Sequence, residues 1–344
     1  MQITTVGIDL AKNVFQVHGA NEHGKPVLRK VLRRGQVAAY FSNLPSCLIG
    51  MEACASAHHW ARKLQALGHE VRLIAPQFVK PYVKSNKNDA ADAEAICEAV
   101  ARPSMRFVPI KNTEQQSVLA LHRVRQAFVK ARTAQANQIR GLLGEFGLVV
   151  PQGISYITER VPALLEDADN GLPARMRPLI YRLLDHLRLL HQQIAEVENE
   201  IKLWHRDNEY SRRLEAIPGI GVLTATALAA TVGNAHGFDS GRQLAAWLGL
   251  VPRQHSSGGK TNLLGMSKRG DAYLRTLLIH GARSVIYRAT QRGDERDWLV
   301  QLTARRNKNV AAVALANKTA RIAWALLAHG REFRSDYATV QATA

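Results

Sequence analysis

Cysteine is scarce in this chain of 344 residues, which has only Cys47, Cys54 and Cys97. An odd and sparse set without a Cys-x-x-Cys pair excludes a disulfide framework and a zinc site of the usual spacing. The count indicates reduced thiols, as in a cytosolic protein.

Long hydrophobic runs are also missing from the sequence. The first residues do not combine a basic segment with an apolar one, so no signal peptide is predicted. The most apolar run, 222–232, is shorter than the roughly 18 residues of a membrane-spanning helix and carries three threonines. We therefore expect a cytoplasmic protein without a membrane segment.

Acidic residues are few relative to basic ones. The chain has 28 Asp and Glu against 46 Lys and Arg, a net charge of +18. Residues 1–100 carry a net +4, residues 101–210 a net +3, and residues 211–344 a net +11. Such an excess attracts polyanions, meaning nucleic acid or an anionic membrane surface. We interpret the chain as a nucleic-acid-binding protein whose last third makes most of the contacts.

The first 110 residues combine short strands with helices. Runs rich in β-forming residues at 3–8, 14–18 and 27–32 are separated by short turns and predict an antiparallel meander. Helical spacing then alternates with short buried-strand runs, which gives the order β-β-β-α-β-α-β-α. This order predicts an α/β domain over 1–110, with a mixed sheet and helices packed on it.

The remainder of the chain is predicted to be mainly helical. Two long amphipathic patterns, 113–146 and 174–206, dominate the region 111–210. An antiparallel helical pair or coiled-coil arm explains them as well as a plain helical linker does. A helical domain is expected over 211–330, and residues 331–344 are expected to form a tail.

Four carboxylates stand at positions that could bring them together. Asp9 and Glu52 each follow a predicted strand, and Asp89 and Asp92 share one face of a predicted helix. Clustered carboxylates repel one another unless some are protonated or a cation neutralises them. Oxygen ligands select Mg²⁺ or Mn²⁺, and two such ions can activate phosphate chemistry. Ordinary surface acids and helix-cap aspartates are the alternative explanation.

A glycine turn precedes the small-residue helix of the last third. In Ile-Pro-Gly219-Ile-Gly221, backbone N–H groups before a helix can bind a phosphate oxygen, as in a helix-hairpin-helix. A tight interhelical turn without a ligand is the alternative.

The segment 252–270 is predicted to be a loop rich in Ser, Gly and Lys. A serine beside glycines in a basic loop can act as a nucleophile toward phosphate. On composition alone, a flexible linker explains the segment better. Basic side chains here and just beyond are candidate phosphate contacts or simply solvated charges: Arg253, Lys260, Lys268, Arg269 and Arg275.

These motifs together resemble a family of bacterial transposases. The runs Gly-Ile-Asp9-Leu-Ala-Lys, Gly-Met-Glu52-Ala-Cys and Lys-Asn-Asp89-Ala-Ala-Asp92-Ala are similar to its DEDD motif. Ile-Pro-Gly-Ile-Gly and the downstream Gly-Leu-Val-Pro-Arg, Ser-Gly-Gly-Lys and Ser-Lys-Arg-Gly-Asp runs follow in the family's order. The family is the insertion-sequence 110 type, and the chain resembles its 1111 subgroup and the related Piv-type DNA invertases. The resemblance covers nearly the whole chain.

The resemblance implies a fold and a set of catalytic groups. The first domain would have a RuvC-like, ribonuclease-H fold whose tetrad binds Mg²⁺, and a coiled-coil region would mediate dimer contacts. The C-terminal transposase domain would supply a nucleophilic serine that forms a phosphoserine link with DNA. By motif position this serine is Ser257, with Ser256 as the neighbouring alternative.

The resemblance also implies partners. A structured guide RNA, the bridge RNA, would pair with donor and target DNA. Homodimers would join into a synaptic tetramer in which acids and serine come from different subunits. Two competing hypotheses remain. A metal-dependent, structure-specific nuclease of the Holliday-junction resolvase kind would need the acids but not the serine. A nucleic-acid-binding protein without enzymatic activity would need neither.

Overall fold

The computed structural model describes residues 2–84, 88–293 and 297–334. The chain divides into two compact units, 1–114 and 115–344. The domain boundaries at residues 110, 210 and 330 stay predictions. Of the predicted tail, residues 335–344 lie outside the described residues.

The N-terminal unit is built on one mixed sheet of six strands in the order β3-β2-β1-β4-β5-β6. Strands β1, β2 and β3 form the predicted antiparallel meander, β4 and β5 extend it in parallel with β1, and β6 is antiparallel. The elements are β1 Thr5–Leu10, β2 Val14–Ala20, β3 Pro26–Arg33, α1 Val37–Ser42, β4 Leu48–Glu52, α2 Ala57–Ala66, β5 Glu70–Ile74, α3 Pro76–Val79, α4 Asp89–Val100 and β6 Phe107–Val108.

The predicted succession of strands and helices along this unit is confirmed, with two short additions. The single-turn helix α3 and the two-residue strand β6 were not predicted, because neither is long enough to show a hydrophobic period. One face of the sheet packs on α1 and α2 through fully buried Ile8, Ile49 and Leu64. The other face carries α4 over β1, β2 and β4.

The second unit is mainly helical, as predicted, with one small two-stranded sheet. Its elements are α5 Thr113–Gly144, α6 Ile154–Glu166, α7 Met176–Asp207, α8 Glu209–Glu215, α9 Val222–Val232, α10 Gly241–Trp247, β7 Pro252–Gln254, β8 Leu263–Met266, α11 Ala272–Arg292, α12 Trp298–Arg305 and α13 Lys308–His329.

The two long helices α5 and α7 run antiparallel. The Arg125 guanidinium on α5 donates to the Glu198 carboxylate at 2.7 Å, and Gln135 Oε1 lies 2.8 Å from His186 Nδ1 on α7. The residue numbers of the contacting pairs increase along α5 and decrease along α7, so the two helices run in opposite directions. An antiparallel helical pair is the observed arrangement, and a coiled coil stays a prediction.

Helix α13 is long and apolar enough to cross a membrane by length and composition. The sequence analysis found no apolar run of that length, because Lys318 and Arg321 interrupt this one. Half of the stretch is buried inside the unit, where Ala316, Ala320 and Ala323 are fully buried in the helical core. Small residues on a buried face are typical of a core helix that packs closely on its neighbours.

Candidate functional site

Asp9 and Glu52 lie on neighbouring parallel strands. Strand β1 pairs with β4 so that Gly7 stands opposite Gly50, and continuing this register by two residues sets Asp9 opposite Glu52. Adjacent strands are about 4.8 Å apart. The sheet thus brings the first two predicted carboxylates together.

Both carboxylates project from the face of the sheet that α4 covers. A Cβ on Gly7 would overlap the carbonyl oxygen of Ala93, so this position of β1 faces α4 directly. Side chains two residues apart on a strand share a face, and Asp9 therefore points to the same side. The same reasoning holds for Glu52, because Gly50 also faces α4.

Helix α4 begins with the other two predicted acids. The Asn88 side chain caps it by accepting a hydrogen bond of 2.8 Å from the backbone N–H of Ala91. Asp89 and Asp92 occupy the first turn, where a carboxylate also interacts favourably with the helix dipole. Asp92 directly precedes Ala93, whose carbonyl oxygen lies against Gly7 of β1. The four acids therefore belong to one side of the sheet.

The four acids do not form a closed set of metal ligands. Within the ranges 2–84, 88–293 and 297–334, no three His, Cys, Asp or Glu side chains are close enough together to hold a metal ion. Residues 85–87, just before Asn88, are outside these ranges. The donor chemistry nevertheless fits a divalent metal, because carboxylate oxygens are hard ligands of the kind that Mg²⁺ and Mn²⁺ prefer.

Cys54 experiences the charge of both strand acids. Partial burial of the Sγ atom raises the pKa of the thiol first, although the residue as a whole is exposed, and the negative charges of Glu52 and Asp9 raise that pKa further. A thiol that is influenced by both carboxylates gives a second indication that Asp9 and Glu52 are close in space. The sequence offered no signal for this neighbour, since a single cysteine has no spacing pattern.

The serine segment forms a β-hairpin, and its prediction as a loop or flexible linker was wrong. Strands β7 and β8 are antiparallel, and the backbone N–H of Lys260 donates to the carbonyl of Ser257 at 3.0 Å. Gly258 and Gly259 between them have φ angles of +56° and +76°. Two successive positive φ angles define a type I′ turn, which glycines adopt without steric cost. The composition that suggests a flexible linker is thus also that of a tight turn.

The two serines of the turn have different surroundings. The Ser256 hydroxyl accepts hydrogen bonds from the Gln254 amide at 2.9 Å and from the Asn262 backbone N–H at 3.2 Å. No described residue hydrogen-bonds to the Ser257 hydroxyl. Both serines are exposed, and no atom lies within 4 Å of the position that a Cβ on Gly258 would take. Ser257 is thus the more accessible of the two hydroxyls.

The basic segment after the hairpin is held against the end of α10. The backbone N–H of Lys268 donates to the Gly249 carbonyl at 3.2 Å, and a Cβ on Gly270 would overlap the Trp247 carbonyl. Lys268 has a φ of +54°, which is uncommon for a residue with a side chain. The exposed side chains of Lys268 and Arg269 are therefore presented from a fixed backbone.

The other predicted phosphate contacts divide into exposed and structural positions. Arg253 and Lys260 are exposed on the hairpin. Arg275 is half-buried and donates to the Leu248 carbonyl at the end of α10, at 3.1 Å. This bond gives Arg275 a capping role that the sequence did not reveal.

The turn 217–221 between α8 and α9 packs on α11. A Cβ on Gly281 would overlap the carbonyl oxygen of Gly219, and Gly219 has a φ of +87°. Gly219 therefore has a packing explanation, in line with the tight-turn alternative. Gly221 precedes α9 as its N-cap, and no atom lies within 4 Å of where its Cβ would be. A helix-hairpin-helix that binds phosphate stays a prediction.

A buried polar network that sequence reasoning missed joins three helices of the second unit. His122 of α5 lies 2.9 Å from the Tyr273 hydroxyl of α11 and 3.0 Å from the Thr226 hydroxyl of α9. Burial lowers the pKa of His122 to about 4. The partners are more than 100 positions apart in the sequence, so no local pattern could indicate the contact.

Comparison with known proteins gives two family matches, one over the region of the four acids and one over the region of the hairpin. Residues 6–147, which include all four acids, match the family DEDD_Tnp_IS110, described as "Transposase". Residues 211–297, which include the hairpin, match the "Transposase IS116/IS110/IS902 family".

Several relatives are similar over nearly their whole length. A "Probable family 20 transposase" of Pseudomonas aeruginosa is 54% identical over 97% of this chain and 99% of its own. The "Transposase for insertion sequence element IS1328" of Yersinia enterocolitica is 46% identical over 96% of this chain and 98% of its own. The "Transposase for insertion sequence element IS1111A" of Coxiella burnetii is also 46% identical, over 96% of this chain and 92% of its own.

The fold, the acids and these relatives define a transposase, an enzyme that cuts and rejoins DNA. More narrowly, the chain belongs to the IS110 family of transposases, as the resemblance of its motifs indicated.

Proposed function

We propose that this transposase moves DNA through two chemical parts, a metal-binding carboxylate group and a serine nucleophile. The observation that supports the proposal is the parallel register of β1 and β4, whose continuation beyond the Ile8–Met51 pair would set Asp9 opposite Glu52 on the face covered by α4. Carboxylates concentrated at one edge of a sheet are costly unless a cation neutralises them.

The acids would hold the metal. Asp9 and Glu52 are its first ligands in this proposal, and Asp89 and Asp92 complete the set from the start of α4. Bound Mg²⁺ or Mn²⁺ would supply Lewis-acid polarisation of a DNA phosphate. The first turn of α4 holds Asp89 and Asp92 on a fixed backbone, where the helix dipole interacts favourably with negative groups and lowers the cost of arranging four of them.

Ser257 is the proposed nucleophile. Its hydroxyl oxygen would attack a DNA phosphorus, form a phosphoserine ester and release the other DNA strand end as a hydroxyl. Attack by that hydroxyl, or by one from another DNA end, would restore a phosphodiester without an external energy source. The accessible hydroxyl and the close backbone approach allowed by Gly258 support Ser257 over Ser256. Exposed Lys260 and Arg253 would stabilise the charge on phosphate.

Guidance by a structured bridge RNA that pairs with donor and target DNA is part of the proposal. The net charge of +18 supports binding of more than one nucleic acid. Delegating sequence recognition to base pairing would leave the protein to contact backbones, in which case it needs no base-reading module. We propose homodimers that join into a tetramer, acting in the bacterial cytoplasm on the nucleoid.

The hydrolytic nuclease is the second candidate, because the carboxylate arrangement alone would suffice for it. Water would then replace the Ser257 hydroxyl as the nucleophile. No covalent link between protein and DNA would form.

A covalent-adduct assay separates the two candidates. Full-length protein, Mg²⁺, the RNA transcribed from the end of the element and labelled donor DNA are mixed, denatured and digested, and nucleotide-bearing peptides are sequenced by mass spectrometry. We expect an adduct on Ser257 that is absent from Asp9→Asn and from Ser257→Ala.

Ser256→Ala is the matched control, since it removes the neighbouring hydroxyl, and we expect it to keep the adduct. An adduct on Ser256 in the unmodified protein would shift the assignment by one residue. Mg²⁺-dependent cleavage that persists in Ser257→Ala without any adduct would replace the proposal by the nuclease.

A further inference from the structure

Helix α5 has an unusual charge distribution. From Gln115 to Gly144 it contains five basic residues and not a single acidic one. Its antiparallel partner α7 carries acids throughout its second half, among them Glu196, Glu198 and Glu200. The positive charge of this pair is therefore concentrated on α5.

Part of that charge lies on the face of α5 that is turned away from the protein interior. At about 100° per residue, Arg123, Lys130 and Asn137 fall nearly on one line along the helix. The buried positions of α5, which include Ala136, Ile139 and Leu143, fall on the opposite side. Arg123, Lys130 and Asn137 are exposed.

A shallow groove of about 810 Å³ runs along this outer face. In the described parts of the chain its lining comes from α5 alone and comprises Arg123, Gln126, Ala127, Val129, Lys130, Thr133, Ala134 and Asn137. We call these eight residues the α5 outer face. From Arg123 to Asn137 it extends about 21 Å, since each helical residue rises about 1.5 Å.

The basic groups of the α5 outer face are not engaged in ion pairs. In the described parts of the chain, neither Arg123 nor Lys130 pairs with a carboxylate. The situation of Arg125 is different, because its guanidinium faces inward and pairs with Glu198 at 2.6 Å. The outer charges are thus available to an external anion.

The remaining residues of the α5 outer face suit a phosphate backbone. Gln126, Thr133 and Asn137 offer uncharged hydrogen-bond donors of the type that commonly contact phosphate oxygens. Ala127 has a side chain small enough to allow a close approach of the backbone. The apolar members of the face are Ala127, Ala134 and the half-buried Val129, so it presents no large exposed apolar or aromatic anchor of the kind that dominates protein–protein docking.

The α5 outer face is poorly suited to contacts between two copies of this chain. Two copies related by a two-fold axis would bring basic groups of one copy toward basic groups of the other, without an acid on either face to neutralise them. Double-stranded DNA carries about one negative charge per 1.7 Å of its axis, so the 21 Å face would meet several phosphates.

We propose that the α5 outer face is a docking surface for the phosphate backbone of duplex DNA. The residues of this surface are distinct from those of the hairpin and from the four carboxylates. It binds DNA without reading its sequence, and its role is to hold a length of the DNA substrate that the IS110 family acts on.

Equilibrium binding of full-length protein to a short mixed-sequence DNA duplex tests the proposal. Fluorescence anisotropy is measured in EDTA between about 50 and 200 mM NaCl, the range in which phosphate contacts have a large effect. The experiment needs neither Ser257 nor a metal, so its result is independent of the proposed chemistry. We expect Arg123→Gln/Lys130→Gln to reduce the slope of log K against log salt by about 1.8, at about 0.9 per lost contact.

That change in slope means that the loss of affinity over this salt range becomes about 12-fold smaller than in the unmodified protein. Lys202→Gln/Arg206→Gln is the matched control, because it removes two exposed basic residues from α7, and we expect it to leave the slope unchanged. The conservative variant Arg123→Lys/Lys130→Arg should retain the original slope. Circular dichroism checks that each variant is folded.

Four results would overturn the proposal. The first is an unchanged slope in the Arg123→Gln/Lys130→Gln variant, and the second is an equal change in the α7 control. The third is a loss that affects duplex RNA of the same sequence but leaves the DNA slope intact, which would assign the face to RNA. The fourth is a change in molar mass by light scattering, which would assign it to contacts between copies.

Discussion

Gly7 of β1 and Ala93 of α4 approach so closely that a single methyl group on Gly7 would overlap the Ala93 carbonyl oxygen. This contact fixes α4 against β1, the strand that carries Asp9. The contacting residue of α4, Ala93, directly follows Asp92. The relative position of two candidate ligands on different elements thus depends on a residue without a side chain.

Gly7→Ala is therefore expected to reduce both stability and transposition. Overpacking of a tight contact costs about 1–3 kcal/mol, and any shift of α4 displaces Asp89 and Asp92 relative to Asp9. Urea unfolding and a strand-transfer assay measure the two effects. Gly35→Ala is the control, since nothing lies within 4 Å of the added methyl group. Full transposition by Gly7→Ala would contradict the role of this contact.

The type I′ turn makes a separate prediction for the hairpin. Gly258→Ala places a Cβ at a φ of +56°, which costs about 1–2 kcal/mol for an L-residue. We expect a large loss of adduct formation with little change in the global unfolding midpoint, because the hairpin is exposed on nearly every residue. Gly258→Asn should retain more activity, since Asn tolerates this conformation.

Gly265→Ala in β8 is the matched control for the turn, because its φ is not positive and no atom lies within 4 Å of the added methyl group. Equal losses in Gly258→Ala and Gly265→Ala would show that flexibility of the hairpin, and not its turn geometry, matters for activity.

The mixed sheet could be predicted from the sequence because its strands are short, bounded by turns and rich in β-forming residues. Its two strand acids could be placed at neighbouring strand ends for the same reason. The tight turn at Gly258 could not be predicted, since Ser and Gly are common to flexible linkers and type I′ turns. The capping role of Arg275 and the network of His122 depend on contacts between distant segments, which leave no periodic signal in the sequence.

Because the pKa of His122 is lowered, we expect the second unit to lose stability in acid. The pKa of this histidine in the folded protein is about 4, below the ordinary 6.5, so the unfolded chain binds the proton more tightly. Stability from the neutral His122 is therefore present above pH 6.5 and is lost as the pH falls toward 4. Between pH 7 and pH 5 the free energy of unfolding should fall by about 2 kcal/mol from this group.

Urea unfolding of the full chain at pH 7 and pH 5 measures this loss. The glutamine of His122→Gln can keep part of the hydrogen bonding but cannot titrate. Between pH 7 and pH 5 the free energy of unfolding of this variant should therefore fall by about 2 kcal/mol less than that of the unmodified protein. His280→Gln, which changes an exposed histidine of α11, is the control and should behave like the unmodified protein. The same pH dependence in all three proteins would refute the assignment.

Cys54 offers a chemical probe of the carboxylate site. It is exposed, whereas Cys47 and Cys97 are 6% and 4% exposed, and burial raises the pKa of each of those two thiols to about 11. A maleimide should therefore modify Cys54 first, and faster as the pH rises, because its own pKa is also above the ordinary value and the thiolate is the reactive form.

The modified protein should lose strand transfer while it stays folded, because the added group sits beside Asp9 and Glu52 and blocks access of a DNA phosphate to them. Peptide mapping identifies the modified thiol, and circular dichroism checks the fold. Cys54→Ser removes the reactive group and should make activity resistant to the reagent. If strand transfer survives complete modification of Cys54, the phosphate does not approach the sheet from the side of Asp9 and Glu52, and the metal assignment of these two acids fails with it.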